Sequence, residues 1–246
     1  MANFGGGVWG PLKNDEDFFN HMSAAMDQLP DEGRFCSDNL LAWSRNLGFL
    51  DDTAFMAAFD RHAQTPPERG IVWRTHVYTW CVQQALRRPG DLVECGCYKG
   101  TTVRIACDAV NIAQHKKRFY LYDLFEHRPG MPHHAMPEHG PHLYEQVKAR
   151  FADLPQVKVI RGQVPEVLAT QAPRKVAFLH LDMNQAQAET GALAFFWDRM
   201  SPGGFILLDD YGWQLYRDQK LAADRFFAPL GVSVMELPTG QGLVMA

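Results

Sequence analysis

The stretch Val93-Glu-Cys-Gly-Cys-Tyr-Lys-Gly100 sets an acid two residues before the first of two glycines. Glycines allow positive φ and close backbone approach, and a helix N-terminus offers free N–H groups to a polar ligand. A dinucleotide turn uses Gly-x-Gly-x-x-Gly for its pyrophosphate, and Glu94-x-Gly96-x-x-x-Gly100 is a different spacing. An acid at Glu94 suits a cationic amine better than a diphosphate, a description that fits S-adenosylmethionine. The alternative is a tight strand–helix turn with no ligand. Three further acids, Asp182, Asp209 and Asp210, close two later apolar runs. Carboxylates brought together in this way repel unless a cation or protons lie between them. An all-oxygen set suits a hard cation such as Mg²⁺, which can hold a substrate hydroxyl and lower its pKa. The plainer reading makes Asp209-Asp210 a turn cap and Asp182 a helix cap.

These residues acquire meaning from the elements that carry them. Short apolar runs at 92–95, 118–122, 157–161, 176–181 and 205–208 read as strands. Helical patterns over 101–113, 143–151, 164–169, 189–200 and 217–228 alternate with them. Segments 232–237 and 242–245 read as a closing hairpin around Pro238 to Gln241. The expected fold is α/β: a Rossmann-like, doubly wound, mostly parallel sheet with a terminal antiparallel hairpin. Ligands of such sheets bind beyond the carboxyl ends of the strands, where Glu94, Asp123, Asp182 and Asp209-Asp210 all fall. Asp123 is placed to accept hydrogen bonds from both hydroxyls of a ribose. Gly162-Gln163, after the third strand, would lie beside an adenine, with the glycine making room.

Upstream, a long helix is expected over 71–87, stopped by Arg88-Pro89-Gly90. Gly5-Gly6-Gly7 reads as a flexible patch and 15–29 as a short helix. Helices are expected within 31–60, with Asp51-Asp52 as a cap before Thr53, and Pro66-Pro67 breaks the pattern. The chain is thus divided into an N-terminal helical lid or cap, 1–70, and an α/β domain, 71–246, expected to bind S-adenosylmethionine. Trp43, Phe49, Trp73 and Tyr78 read as core, or as the wall of an acceptor pocket.

With 46% hydrophobic and 21% charged residues in 246, the chain has ample material for a core. A net charge of −4 gives no polybasic footprint for nucleic acid. No apolar run approaches a membrane span, and the N-terminus lacks the pattern of a signal peptide. Five cysteines follow no zinc or redox spacing, so reduced thiols and a cytoplasmic location are expected.

Four segments in order, Val93 to Gly100, Tyr122-Asp-Leu-Phe-Glu126, Leu179-His-Leu-Asp182 and Ser201-Pro-Gly-Gly-Phe-Ile-Leu-Leu-Asp-Asp-Tyr-Gly212, resemble the macrocin O-methyltransferase (TylF/MycF-like) family. The resemblance covers roughly 71–246. It implies a class I S-adenosylmethionine-dependent O-methyltransferase that acts, with Mg²⁺, on a hydroxyl of a sugar or small-molecule natural product. It implies that Glu94, Gly96 and Gly100 hold the methionine part of the donor and Asp123 its ribose. Cys95, Tyr98, Thr101, Leu124, Phe125, Gly162, Gln163 and Asp182 complete the expected cofactor contacts. Asp182, Asp209 and Asp210 become the metal ligands, and Asp182 also takes the hydroxyl proton. The arrangement is similar to that of catechol and caffeoyl-CoA methyltransferases. The chain departs from the family where a second acid is usual, in an Asp-x-Asp-x-Tyr-x-Ser pattern: it has Asp182-Met-Asn184-Gln. Asn184 offers a carbonyl oxygen but neither charge nor a base. A relative with a non-sugar acceptor, a hydroxylase-like role, or donor binding without turnover therefore stands as the alternative.

Residues 127–142 hold five of the ten histidines among four prolines and read as a lid on the ligand side. One of these histidines is a second candidate for the base. Zinc is the rival use, without a cysteine partner or a familiar spacing. His180 reads as structural. The N-terminal helices could serve as a lid or as the interface of a homo-oligomer.

Overall fold

The computed structural model describes residues 10–246; the Gly5–Gly7 patch lies outside them. A seven-stranded sheet forms the centre, and a two-stranded hairpin, β1 (Phe35–Ser37) and β2 (Leu40–Ala42), stands apart from it. The sheet contains β3 (Asp91–Cys95), β4 (Phe119–Asp123), β5 (Val157–Arg161), β6 (Val176–Leu181), β7 (Met200–Leu208), β8 (Met235–Glu236) and β9 (Gly242–Met245). Its order is β5-β4-β3-β6-β7-β9-β8. The first five neighbours run parallel, and β9 and β8 join antiparallel at one edge. Strand order reverses between β3 and β6, which makes their carboxyl ends the switch point where such sheets open a crevice.

Strand periodicity sends alternate side chains to two helical layers. Leu92, Phe119, Leu121, Phe178 and Leu207 pack under α4 (Val72–Ala85), α5 (Thr101–Ala109) and α6 (Leu143–Arg150). Val93, Cys95, Tyr122, Leu179, Leu181 and Ile206 pack under α7 (Leu168–Gln171), α8 (Ala186–Phe196) and α9 (Arg217–Phe227). Every residue of β6 is buried, as expected of a central parallel strand covered on both faces. Two consequences matter for the site: Glu94 and His180 must face α4, and Cys95 must face away from it.

The N-terminal segment carries α1 (Asp15–Met26), α2 (Thr53–His62) and α3 (Pro66–Gly70). Asp52 caps α2 by accepting from the Phe55 N–H at 3.0 Å. Phe35, Phe49, Phe55, Phe59 and Val72 close with Ile105 of α5 into a third apolar cluster, so this segment rests on the sheet domain. Residues 35–42 form a hairpin, where helix was expected. Asp38 and Asn39 both take positive φ, 55° and 53°, in the turn, a conformation that interrupts any helix and reverses the chain. Pro66-Pro67 opens α3, because proline fits the first turn of a helix, and Thr65 with Glu68 forms its capping box. Helix 217–227 and strands 157–161 and 176–181 lie within a residue of expectation. Strand β7 starts five residues early, taking Ser201 to Gly204 into the sheet across a register shift against β6. Among the described residues no helix is long and apolar enough to cross a membrane.

Candidate active site

Two carboxylates flank the turn after β3. Glu94, buried on the α4 side, accepts a hydrogen bond from the Tyr78 hydroxyl and faces His180 Nδ1 at 3.5 Å. Asp123 ends β4 and accepts the Tyr98 N–H at 2.7 Å on one oxygen and the Phe125 N–H at 2.6 Å on the other. Burial pushes the Asp123 pKa up, and the backbone N–H of Phe125 opposes the shift. Each of its oxygens keeps a lone pair for a ligand hydroxyl. Gly96 has φ +92°, and a Cβ there would collide with the carbonyl oxygen of Asp182. Gly100, φ +69°, opens α5 against the ring of Phe151. These glycines therefore let the chain approach itself at the switch point. At Gly162 a Cβ would meet the Val167 side chain at 2.7 Å, so this glycine too permits a close approach.

A cavity of about 950 Å³ opens across these strand ends. Of the expected cofactor residues it is lined by Glu94, Gly96, Tyr98, Gly100, Thr101, Asp123, Leu124, Gly162, Gln163 and Asp182. Cys95 and Phe125 are elsewhere. Cys95 alternates to the far face of β3 and lies in the α8–α9 core, and Phe125 is buried in the core beneath α4 to α6. What Phe125 contributes is its N–H to Asp123.

Asp182, Asp209 and Asp210 line the same cavity, and a guanidinium stands among them. Arg74, in the first turn of α4, donates from Nη1 to Asp209 Oδ2 at 2.7 Å and lies 3.7 Å from Asp210 Oδ1. Its Nη2 and Nε donate to the two oxygens of Asp38 at 2.9 and 3.2 Å, and its face covers Trp213 at 5.0 Å. Asp209 Oδ1 accepts from Gln241 Nε2 at 2.9 Å and faces His180 Nε2 at 3.4 Å. Both oxygens of Asp209 are thus engaged by protein donors. That does not fit the expected three-carboxylate cation site, and among the described residues no three His, Cys, Asp or Glu side chains converge as a ligand set.

The charges sort accordingly. Burial and the neighbouring Asp209 and Asp210 hold the Asp182 pKa well above the usual carboxylate range. Burial and Asp209 push Asp210 up to about 8. Asp209 goes the other way: burial opposes its ionisation, but Arg74 and His180 keep it ionised. Burial opposes the charge on His180, yet Glu94 and Asp209 raise its pKa to about 10. His180, expected as structural, lies buried at the cavity between Glu94 and Asp209, which favour its charged form. Sequence reasoning missed Arg74, Tyr78 as the partner of Glu94, and Gln241. The available signal was that Arg74 and Tyr78 stand four apart on one helix face, pointing at strand ends rich in acids.

The lid segment after β4 contains no helix or strand before α6, as expected. Its His133, His134 and His139 line the cavity; His127 and His142 do not. The His127, His133 and His139 rings meet edge to face at 4.9 and 5.7 Å. His134 Nδ1 lies 3.1 Å from the Tyr216 hydroxyl, and Lys99 reaches Glu68 at 2.9 Å and Glu138 at 3.3 Å. The lid therefore closes on both rims of the cavity. Asn184, at φ 53°, turns the chain after Asp182 and leaves its buried Oδ1 without a protein partner.

A family model described as a methyltransferase domain matches residues 93–211. Over 158 residues the chain is 33% identical to the 8-demethyl-8-(2,3-dimethoxy-alpha-L-rhamnosyl)-tetracenomycin-C 4'-O-methyltransferase of Streptomyces olivaceus, 56% of this chain and 60% of that one. Over 155 residues it is 26% identical to the mycinamicin III 3''-O-methyltransferase of Micromonospora griseorubida, 53% of this chain and 59% of that one. The chain thus spans about 60% of the length of the curated relatives it matches. Its fold is similar to that of the O-methyltransferase NovP, with a TM-score of 0.59 at 19% identity over 71% of this chain and 79% of that one. Residues 93–211 thus match a methyltransferase-domain model, and in motifs and strand order the chain is similar to class I O-methyltransferases.

Proposed function

We propose that the chain transfers a methyl group from S-adenosylmethionine to a hydroxyl of a sugar carried by a small-molecule natural product. One observation carries this reading: Glu94, Asp123 and Asp182 converge on a single cavity at the switch point of a methyltransferase domain. The sugar acceptor is drawn from the two relatives, whose names specify methylation on sugars of a tetracenomycin and a mycinamicin.

Bound S-adenosylmethionine supplies a methyl group on a positively charged sulfur. Asp123, steadied by two backbone N–H groups, accepts from the ribose hydroxyls. Glu94, held by Tyr78 and His180, supplies negative charge toward the methionine amine. Asp182 is the proton acceptor in this reading. Burial, Asp209 and Asp210 raise its pKa, so in its ionised form it is a stronger proton acceptor than an ordinary carboxylate. The acceptor oxygen forms its bond to the methyl carbon as its proton passes to Asp182, and sulfur keeps the electrons of the bond that breaks. Positioning within an enclosed cavity then supplies much of the acceleration. Tyr216, Leu215 and Trp213 form the acceptor wall with the lid histidines. Magnesium assistance, expected from the three aspartates, has no step in this mechanism, because Arg74 and Gln241 already engage Asp209.

The test is transfer of labelled methyl from S-adenosylmethionine to a panel of deoxysugar glycosides, with free sugars and catechols as controls. Labelling of glycosides alone is the expected result. Labelling of catechols alone would overturn the sugar assignment, and no labelling of any acceptor would favour a binding role.

A further inference from the structure

Carboxylates crowded at strand ends need positive charge, and this chain brings its own. The Arg74 side chain is only 12% exposed and is gripped from two sides. Asp38 of the β1–β2 turn takes Nε and Nη2, while Asp209 takes Nη1 with Asp210 beyond it. The stem is fixed in α4, whose next turn places Tyr78 on Glu94. The guanidinium therefore cannot swing away without breaking a buried pair, a loss of several kcal/mol in comparable cases. Mg²⁺ demands near-octahedral oxygen ligands at about 2.0–2.1 Å. Asp209 already gives one oxygen to Arg74 and the other to Gln241, so a metal there would have to bind beside both donors and against the guanidinium charge. The sequence carries a second, independent sign. Asn184, on the same cavity, carries no charge to draw a divalent ion, where the family that the sequence resembles usually has an acid.

We propose that Arg74 is the resident cation of this site, a positioning residue that holds Asp209 and Asp210 in place, and that this chain works without a divalent metal. The inference rests on the methyltransferase reading and is tested separately from it. Arg74 has a second consequence: it ties the hairpin of the N-terminal segment to the end of β7, so the cap and the carboxylates are positioned together.

The experiment titrates Mn²⁺ as a spin probe into the full chain saturated with S-adenosylhomocysteine, followed by electron paramagnetic resonance. The wild type is expected to bind no Mn²⁺ up to about 1 mM. Arg74→Met, which keeps the stem and removes the charge, is expected to gain one site at least about tenfold tighter, and adding Asp210→Asn should abolish it. A purely structural role for Arg74 would give a less stable variant with no new site, and that result overturns the proposal. So does one Mn²⁺ bound by the wild type at micromolar concentration and lost in Asp210→Asn, a measurement that needs no Arg74 variant to fold. Failure of S-adenosylhomocysteine itself to bind would sink the methyltransferase reading, whatever Mn²⁺ does.

Discussion

At the scale of single residues, the site divides its carboxylates by the partners they are given. Asp209 has cationic and amide partners and stays ionised; Asp182 has like charges for neighbours and holds a proton more tightly. Asp182→Asn preserves the shape and removes the proton acceptor. Turnover should fall by about 10²–10⁴-fold, the usual contribution of a general base, with the donor dissociation constant nearly unchanged by calorimetry. A large loss of donor affinity would instead make Asp182 a donor contact. The charges also set a pH dependence. His180 in the fold has a pKa of about 10, against about 6.5 in an unfolded chain. A group whose folded pKa is raised binds more protons folded than unfolded, so its stabilisation is complete below about 6.5 and is lost as pH rises toward 10. Asp210, raised to about 8, has the same sign between about 4 and 8. The melting temperature of the donor-free protein should therefore fall as pH is raised from 6.5 to 10, and His180→Gln should flatten that slope. A melting temperature that rises over this range would contradict the charge assignment.

At the scale of elements, the site depends on how closely β3 and β6 approach at their carboxyl ends. Gly96 sits against the Asp182 carbonyl with no space for a methyl group and at a φ that favours glycine. Gly96→Ala should lower the melting temperature sharply or leave the protein insoluble, whereas Asp52→Ala, which removes one helix cap, should cost only about 1 kcal/mol. Comparable melting curves for the two variants would contradict the packing argument. The regular sheet was legible in the sequence because its signal is local: apolar runs bounded by turn residues, with acids at their ends. The β1–β2 hairpin was not, since three-residue strands have no periodicity to read and aromatic residues such as Phe35 suit strand, helix or core alike. The Arg74 hub was equally hidden. Its partners are 36 and 135 residues away in sequence, and only the apposition of the hairpin turn, α4 and β7 brings them together. Cys95 shows the reverse error, where nearness to a motif suggested a contact that strand alternation forbids.

For the whole molecule, one cavity unites the ends of β3, β4, β5, β6 and β7, the lid after β4 and the first turn of α4. Carboxylates outnumber cations in its lining, and Arg74, Lys99 and the charged His180 are already paired with acids. A cationic donor and a neutral sugar suit that field; an acceptor bearing a diphosphate does not. Calorimetry on the protein saturated with S-adenosylhomocysteine should accordingly give at least about tenfold weaker binding for a nucleoside-diphosphate deoxysugar than for an uncharged glycoside of the same sugar. Equal or tighter binding of the diphosphate would contradict the electrostatic account. Donor binding is the central claim, because every role given to Glu94, Asp123 and Asp182 assumes S-adenosylmethionine across the strand ends. Its most direct test is titration of S-adenosylhomocysteine into the wild type and into Asp123→Asn. One site in the wild type, weakened by about tenfold or more when the ribose partner loses its charge, is the expected result. No binding in the wild type, or undiminished binding in the variant, would contradict it.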